Sequence, residues 1–300
     1  MTSAPVSRFI AAADGLKLHV RDYGQPGGPG LAKLLPVVCL PGLTRNTQDF
    51  DALAAALSAD GRRVIAVDYR GRGRSDYDSD PAKYSLPVEL GDVITILAAL
   101  ACEPAVFVGT SRGGLLTMLL ASVRPAAIAG AVLNDIGPVL EPGGLERIKG
   151  YVGKMPQPKD YDDAAAILAR LFGSQFPRLT PDDWRKSARR NFKDQDGALV
   201  PDYDIALART MVDFDVSKPI PDLWPQFAAL AGVPLMVVRG ELSDLLSPAT
   251  VAEMVRRHPG LETLVVPDQG HAPLLAEDDV MGRIAAFVKR CDERHAAPPA

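Results

Sequence analysis

Apolar residues along this chain fall into short unbroken runs separated by helical periodicity. "LPVVCLPG", "RRVIAVDYRG", "PAVFVGT", "IAGAVLNDIGP" and "VPLMVVRG" are each brief, valine-rich and unalternating, the pattern of strands buried on both faces of a parallel sheet. Between them, "DFDALAAALSADG", "PVELGDVITILAALA" and "SRGGLLTMLLASVR" repeat apolar positions at helical spacing, and "SPATVAEMVRRHPG" and "DDVMGRIAAFVKRC" do so later. Two β-like runs, "SRFIAAA" and "LKLHVRDYG", flank Asp14-Gly15, a hairpin signal. "LETLVVPDQG" supplies the last of eight predicted strands. The strand–helix alternation predicts an α/β architecture, a mostly parallel eight-stranded sheet flanked by helices.

The rhythm stops at about Pro138 and resumes near residue 233. The intervening stretch is rich in Pro, Tyr, Trp and charge, with helical patches "YDDAAAILARLF" and "PDDWRKSARRNF". It is expected to form a helical lid, residues 138–228, inserted after the sixth strand into a core made of residues 1–137 and 229–300.

Composition narrows the class of partner. The 300 residues are 47% hydrophobic, with 33 basic and 37 acidic side chains interspersed. No broad positive field would draw nucleic acid or an anionic membrane, so a small-molecule substrate is expected. Cys39, Cys102 and Cys291 are scattered and odd in number; they fit neither a disulfide framework nor a zinc site and point to a reducing cytoplasm. No leader-like amino terminus and no long apolar run stands out. "RGRGRSD" is one short copy wedged between strand and helix in an acidic chain, so it reads as a structural loop and not as an RNA-binding tract. No metal or organic cofactor is expected, since the usual nucleotide motifs are missing.

The candidate chemistry lies in "VGTSRGG". A Gly-x-Ser-x-Gly match alone is weak, but here it follows a predicted strand and opens a predicted helix, where a sharp turn lifts the Ser111 hydroxyl clear of the sheet. A serine hydroxyl needs a base to become nucleophilic. Of the four histidines, His19, His258 and His295 are expected at the surface or at helix ends. His271 follows the last strand, so its loop reaches the same carboxyl edge as Ser111 and it is the expected base. For the orienting acid, Asp244 follows the preceding strand. Asp135, after the sixth strand, is the rival, with a turn-stabilising role as its alternative.

The ordered set "LPGLTRN", "DYRGRGRSD", "GTSRGG", "GELSD" and "DQGHAPLL" resembles the α/β-hydrolase superfamily, in its lidded group of serine esterases and lactonases, over nearly the whole chain. The resemblance implies Ser111 as nucleophile, Asp244 as acid, His271 as base, and the backbone N–H groups of Leu43 and Arg112 as oxyanion hole. Pro41-Gly42 stands where many members carry His-Gly, which leaves backbone donors intact. Arg112 is expected to pair with a lid carboxylate, its alternative being an acidic substrate group. Arg185, Arg189 and Arg190 are candidates to clasp a substrate carboxylate, as lid arginines do in the carbon–carbon bond hydrolases of this superfamily. The expected activity is hydrolysis of an ester or lactone of a small, partly apolar acid through an acyl-enzyme. The alternatives are carbon–carbon cleavage of a ring-cleavage diketone, disfavoured by Thr110 and Ala272, and a ligand-sensing module that retains its triad.

Overall fold

The structure is a computed structural model that describes residues 4–24, 34–59, 61–211 and 220–297. Eight strands form one sheet: β1 (Val6–Ala11), β2 (Lys17–Tyr23), β3 (Val37–Leu40), β4 (Val64–Val67), β5 (Ala105–Thr110), β6 (Ile128–Asn134), β9 (Leu235–Gly240) and β10 (Glu262–Val266). Their order is β1-β2-β4-β3-β5-β6-β9-β10. The β1–β2 and β2–β4 pairings are antiparallel, and every later pairing is parallel. This agrees with the predicted α/β class and mostly parallel sheet.

The valine-rich runs are strands because both of their faces are covered. Val38, Leu40, Ile65, Val67, Phe107 and Leu133 point to one side, where they pack with α2 (Leu86–Leu100), α3 (Arg112–Val123) and α8 (Pro248–Arg257). The alternate residues Val37, Cys39, Val64, Ala66, Val106, Val108 and Val132 point to the other, against α1 (Asp51–Ser58) and α9 (Asp278–Ala296). Period-2 alternation of side chains thus splits one sheet into two cores. The edge strand β1, covered on neither side to the same degree, is almost wholly exposed.

Between β6 and β9 the chain leaves the sheet and builds α4 (Pro142–Tyr151), α5 (Tyr161–Phe172) and α6 (Pro181–Asn191). Asp160 and Thr180 cap α5 and α6, the latter through a reciprocal capping box with Asp183. Ala164, Leu168, Phe176, Trp184, Ala188 and Phe192 give this segment a small core of its own. The helical expectation needs one correction, because residues 192–201 form a hairpin, β7 (Phe192–Gln195) with β8 (Ala198–Pro201). Its turn, Asp196-Gly197, has positive φ at both positions, the requirement of a two-residue hairpin turn. A short α7 (Trp224–Ala228) leads back to the sheet. Among the described residues no helix is long and apolar enough to cross a membrane.

Candidate active site

The turn between β5 and α3 places Ser111 at φ +50°, ψ −112°, a backbone state that costs strain and persists only where its surroundings enforce it. Close packing explains the flanking glycines. A Cβ on Gly109 would lie 2.6 Å from the Gly113 carbonyl, and one on Gly113 would lie 2.0 Å from the Leu40 carbonyl oxygen. The Ser111 amide donates to the Asn134 carbonyl on β6 at 3.0 Å.

Ser111 Oγ lies 2.9 Å from Nε2 of His271, whose Nδ1 lies 2.8 Å from Asp135 Oδ2. Ser111 and His271 stand together as expected, and the carboxylate on His271 is that of Asp135, not of Asp244. Asp135 is fully buried, and its carboxylate also accepts from the Gly240 amide at 2.8 Å and the Ser243 hydroxyl at 2.5 Å. Because Asp135 is an acceptor only, Nδ1 carries the proton and Nε2 is free to accept from Ser111. Asp244 faces elsewhere: Arg147 of α4 holds it through Nε at 2.5 Å and Nη2 at 2.7 Å. Burial pushes the Asp244 carboxyl up, but Arg147 outweighs it and keeps it below the ordinary carboxylate value.

Two further residues tie these loops together and carry no signal in the sequence. Asn134 donates to the Thr110 hydroxyl at 3.1 Å and the Pro273 carbonyl at 3.0 Å, joining the serine strand to the histidine loop. Gln175, from the segment between α5 and α6, accepts through its side chain from the His271 amide at 3.0 Å and through its carbonyl from the Gly270 amide at 2.7 Å.

The two expected oxyanion donors are braced through one carboxylate. Glu89 of α2, with no exposed surface, accepts from Arg72 Nη1 at 2.7 Å and from Arg112 Nε at 2.5 Å. Arg72 in turn donates through Nε to the Leu43 carbonyl at 2.9 Å. Burial pushes the Glu89 carboxyl up, yet the two guanidiniums hold it below its ordinary value. The partner of Arg112 thus belongs to the core and not to the inserted segment. Neither the Leu43 amide nor the Arg112 amide has an acceptor among the described residues, and the latter is the first residue of a helix, where such N–H groups are free. Two arginines of "RGRGRSD" are spent on structure: Arg70 pairs with Asp78 and Asp92, and Arg72 with Glu89.

A cavity of about 160 Å³ opens beside Thr110 and His271. Its far wall is apolar and comes from the inserted segment, with Met155, Leu168, Phe172, Phe176 and Trp184. Arg45, Asp49, Ser187, Arg190 and Asn191 are among its polar groups. Arg45 is clamped by Asp49 and Asn191. Arg190 reaches Asp49 at 4.0 Å, and its buried Nε has no hydrogen-bond partner among the described residues. Of the three candidate arginines in α6, Arg190 alone lines the cavity. Arg185 lies exposed against Asp162 at 2.8 Å, and the Arg189 guanidinium stacks 4.9 Å over the Tyr161 ring. One other expectation changes, since His19 on β2 is buried and not superficial, whereas His258 stands at the end of α8 as expected, though buried. Among the described residues no group of three or more His, Cys, Asp and Glu could hold a metal ion.

The sheet order, the strained serine turn and the histidine loop at the sheet's carboxyl edge define an α/β hydrolase, and a model of the alpha/beta hydrolase family matches residues 37–283. The chain belongs to that family and is a hydrolase. It is similar to a 3-hydroxybutyrate-oligomer hydrolase of Cupriavidus necator, 37% identical over 287 residues that cover 92% of this chain and 95% of the relative. It is similar too to a 2-(acetamidomethylene)succinate hydrolase of Mesorhizobium japonicum, 30% identical over 257 residues and 85% of each chain. The crystal structure of an alpha/beta hydrolase from Novosphingobium aromaticivorans superimposes with a TM-score of 0.88 at 42% identity, covering 97% of this chain and 100% of that one.

Proposed function

We propose that this hydrolase cleaves an ester or lactone of a small, partly apolar carboxylic acid through an acyl-enzyme on Ser111. The observation that carries the reading is the continuous hydrogen-bonded line Ser111–His271–Asp135, whose His271 lines the cavity. His271 takes the Ser111 proton as Oγ attacks the carbonyl carbon, and the Asp135 carboxylate stabilises the imidazolium that forms. The Leu43 and Arg112 amides receive the developing oxyanion. His271 returns the proton to the leaving alcohol, and water releases the acid by the same steps in reverse order.

The inserted segment acts as a lid: its side chains line the same cavity as Thr110 and His271. The substrate carries a carboxylate of its own. Two guanidiniums, Arg45 and Arg190, face one carboxylate, Asp49, so the polar end of the cavity has an excess positive charge. Burial pulls the Arg190 guanidinium below its ordinary value, more than Asp49 restores, so a second anion there would be favourable. Hydroxybutyrate and succinate, in the names of the two relatives, are carboxylate-bearing compounds.

A kinetic screen tests this reading with short-chain aryl esters, a lactone, a linear dimer of 3-hydroxybutyrate, its methyl ester, and one ring-cleavage diketone. Turnover of the 3-hydroxybutyrate dimer or the lactone, abolished by Ser111→Ala and, for the dimer, faster for the acid than for its methyl ester, is the expected outcome. Turnover of the diketone without turnover of any ester or lactone would replace the reading with carbon–carbon hydrolysis. Binding without turnover of any compound would replace it with a sensing role.

A further inference from the structure

A second serine, far from Ser111 in the sheet order, makes the same set of contacts. Ser7 is on the exposed edge strand β1, whose register sets Ser7 opposite Arg21 and Phe9 opposite His19 on β2. His19 has no exposed surface. Its Nε2 lies 3.0 Å from Ser7 Oγ, and its Nδ1 lies 2.7 Å from Asp68 Oδ2. The Asp68 side chain is also buried, and it accepts from the amides of Thr47 at 2.7 Å and Arg74 at 3.1 Å. The Arg74 guanidinium completes the set by donating through Nη1 to Ser7 Oγ at 2.7 Å.

With a neutral imidazole, proton accounting leaves one arrangement. The Asp68 carboxylate can only accept, so His19 Nδ1 carries the proton. Nε2 is then an acceptor. Arg74 can only donate, so it occupies a lone pair of Ser7 Oγ, and the Ser7 proton is directed at Nε2. A buried imidazole backed by a carboxylate and accepting from an exposed hydroxyl is the arrangement that activates a serine. The cation on Oγ stabilises the alkoxide and the oxyanion that attack produces.

We propose that Ser7, His19 and Asp68 form a second acyl-accepting site, in which Ser7 takes the acyl group of small activated esters, aryl esters above all. Ser7 Oγ bonds to the ester carbonyl carbon as its proton passes to His19 Nε2. The bond between the acyl carbon and the aryl oxygen then breaks, and the leaving aryl oxide takes the proton from His19 Nε2. The acyl group stays on Ser7 until water attacks it. Phe9, on the same face of β1 two residues away, supplies an apolar surface for the aryl ring: it is 51% exposed and its ring lies 5.2 Å from that of His19. Arg74 stacks 5.3 Å over Phe9 and so closes the other side.

The test uses the full chain carrying Ser111→Ala, which removes the first site whatever its role. A fluorophosphonate probe is applied and its adduct located by peptide mass. Attack of Ser7 Oγ on phosphorus expels fluoride and leaves a stable adduct. The expected result is one adduct on Ser7, absent from Ser111→Ala/Ser7→Ala, slowed about tenfold or more by Arg74→Met, and formed roughly a hundredfold or more faster than in the urea-unfolded chain, the lower range of general-base assistance. Ser7 and Arg74 are exposed, so both variants should keep the native circular dichroism of the parent. No adduct on Ser7 in the folded protein, or an adduct formed as fast in the unfolded chain, would overturn the proposal.

Discussion

Replacing Asp135 by asparagine removes one charge and almost no volume, and the surrounding hydrogen bonds dictate its effect. The Gly240 amide donates to Oδ1 of Asp135, so the asparagine must put its carbonyl oxygen there and its NH2 group where Oδ2 was. That NH2 faces His271 Nδ1 and the Ser243 hydroxyl. A donor opposite Nδ1 forces the imidazole to carry its proton on Nε2, where it can no longer accept from Ser111. Flipping the amide would set its NH2 against the Gly240 N–H and leave a buried donor unpaired. The same substitution in the serine-protease triad lowers kcat by about 10⁴, or about 5.4 kcal/mol at 1.36 kcal/mol per decade. We expect Asp135→Asn to lose roughly that much kcat on the 3-hydroxybutyrate dimer while remaining folded by circular dichroism. Asp244→Asn is the control: its side chain is partly exposed and paired with Arg147, so its loss should stay within about 1 kcal/mol, roughly fivefold. A thousandfold loss in Asp244→Asn beside a near-normal Asp135→Asn would refute the assignment.

In wild-type protein a fluorophosphonate should react fastest at Ser111, and undiminished first-phase labelling in Ser111→Ala would exclude it as the nucleophile. Arg190→Met should raise KM for a carboxylate-bearing ester by roughly ten- to hundredfold, the worth of about 1.5–3 kcal/mol for a hydrogen bond to a charged group, while leaving KM for the matching methyl ester unchanged; equal effects on both would remove the anion-binding role. Glu89→Gln should lower stability by about 3–5 kcal/mol in urea unfolding, since it strands buried Arg72 and Arg112 without their shared carboxylate, and a loss under about 1 kcal/mol would contradict the network. Burial pushes the Cys102 thiol up to about 11 and Cys291 up to about 12, from a usual value of 9.0. Because the folded state keeps those protons longer than the unfolded chain, stability should be intact below pH 9 and fall as pH rises towards 11–12; a urea midpoint independent of pH from 8 to 11 would count against it.

The sheet was legible because a parallel strand covered on both faces has to be apolar at every position, as in the fully buried β3, β4 and β9. The serine turn was legible for a steric reason, since Gly113 touches the Leu40 carbonyl and nothing larger fits. The β7–β8 hairpin was not read, although Asp196-Gly197 marks its turn, because the charges of "RRNFKDQ" continue those of α6 and mask the change of period. The partner of Arg112 was equally hidden: Glu89 precedes it by 23 positions on another helix, and only the packing of α2 beneath the Leu43 turn brings the two together.

The choice between Asp135 and Asp244 depends on contacts no local pattern contains. Both follow adjacent parallel strands at the carboxyl edge, so strand order alone gives each a route to His271. Two features separate them. Asp135 adopts φ +53°, and with its amide on the Val238 carbonyl its side chain turns under the histidine loop to meet Gly240 and Ser243. Asp244 is drawn outward by Arg147, and α4 reaches it because Gly144 has no Cβ, which would stand 2.7 Å from the Asp244 carbonyl oxygen. Gln175 then fixes the backbone on either side of the Gly270–His271 bond. The segment between β6 and β9 therefore does more than cover the cavity: through Arg147 and Gln175 it occupies the competing carboxylate and holds the histidine where Asp135 can reach it.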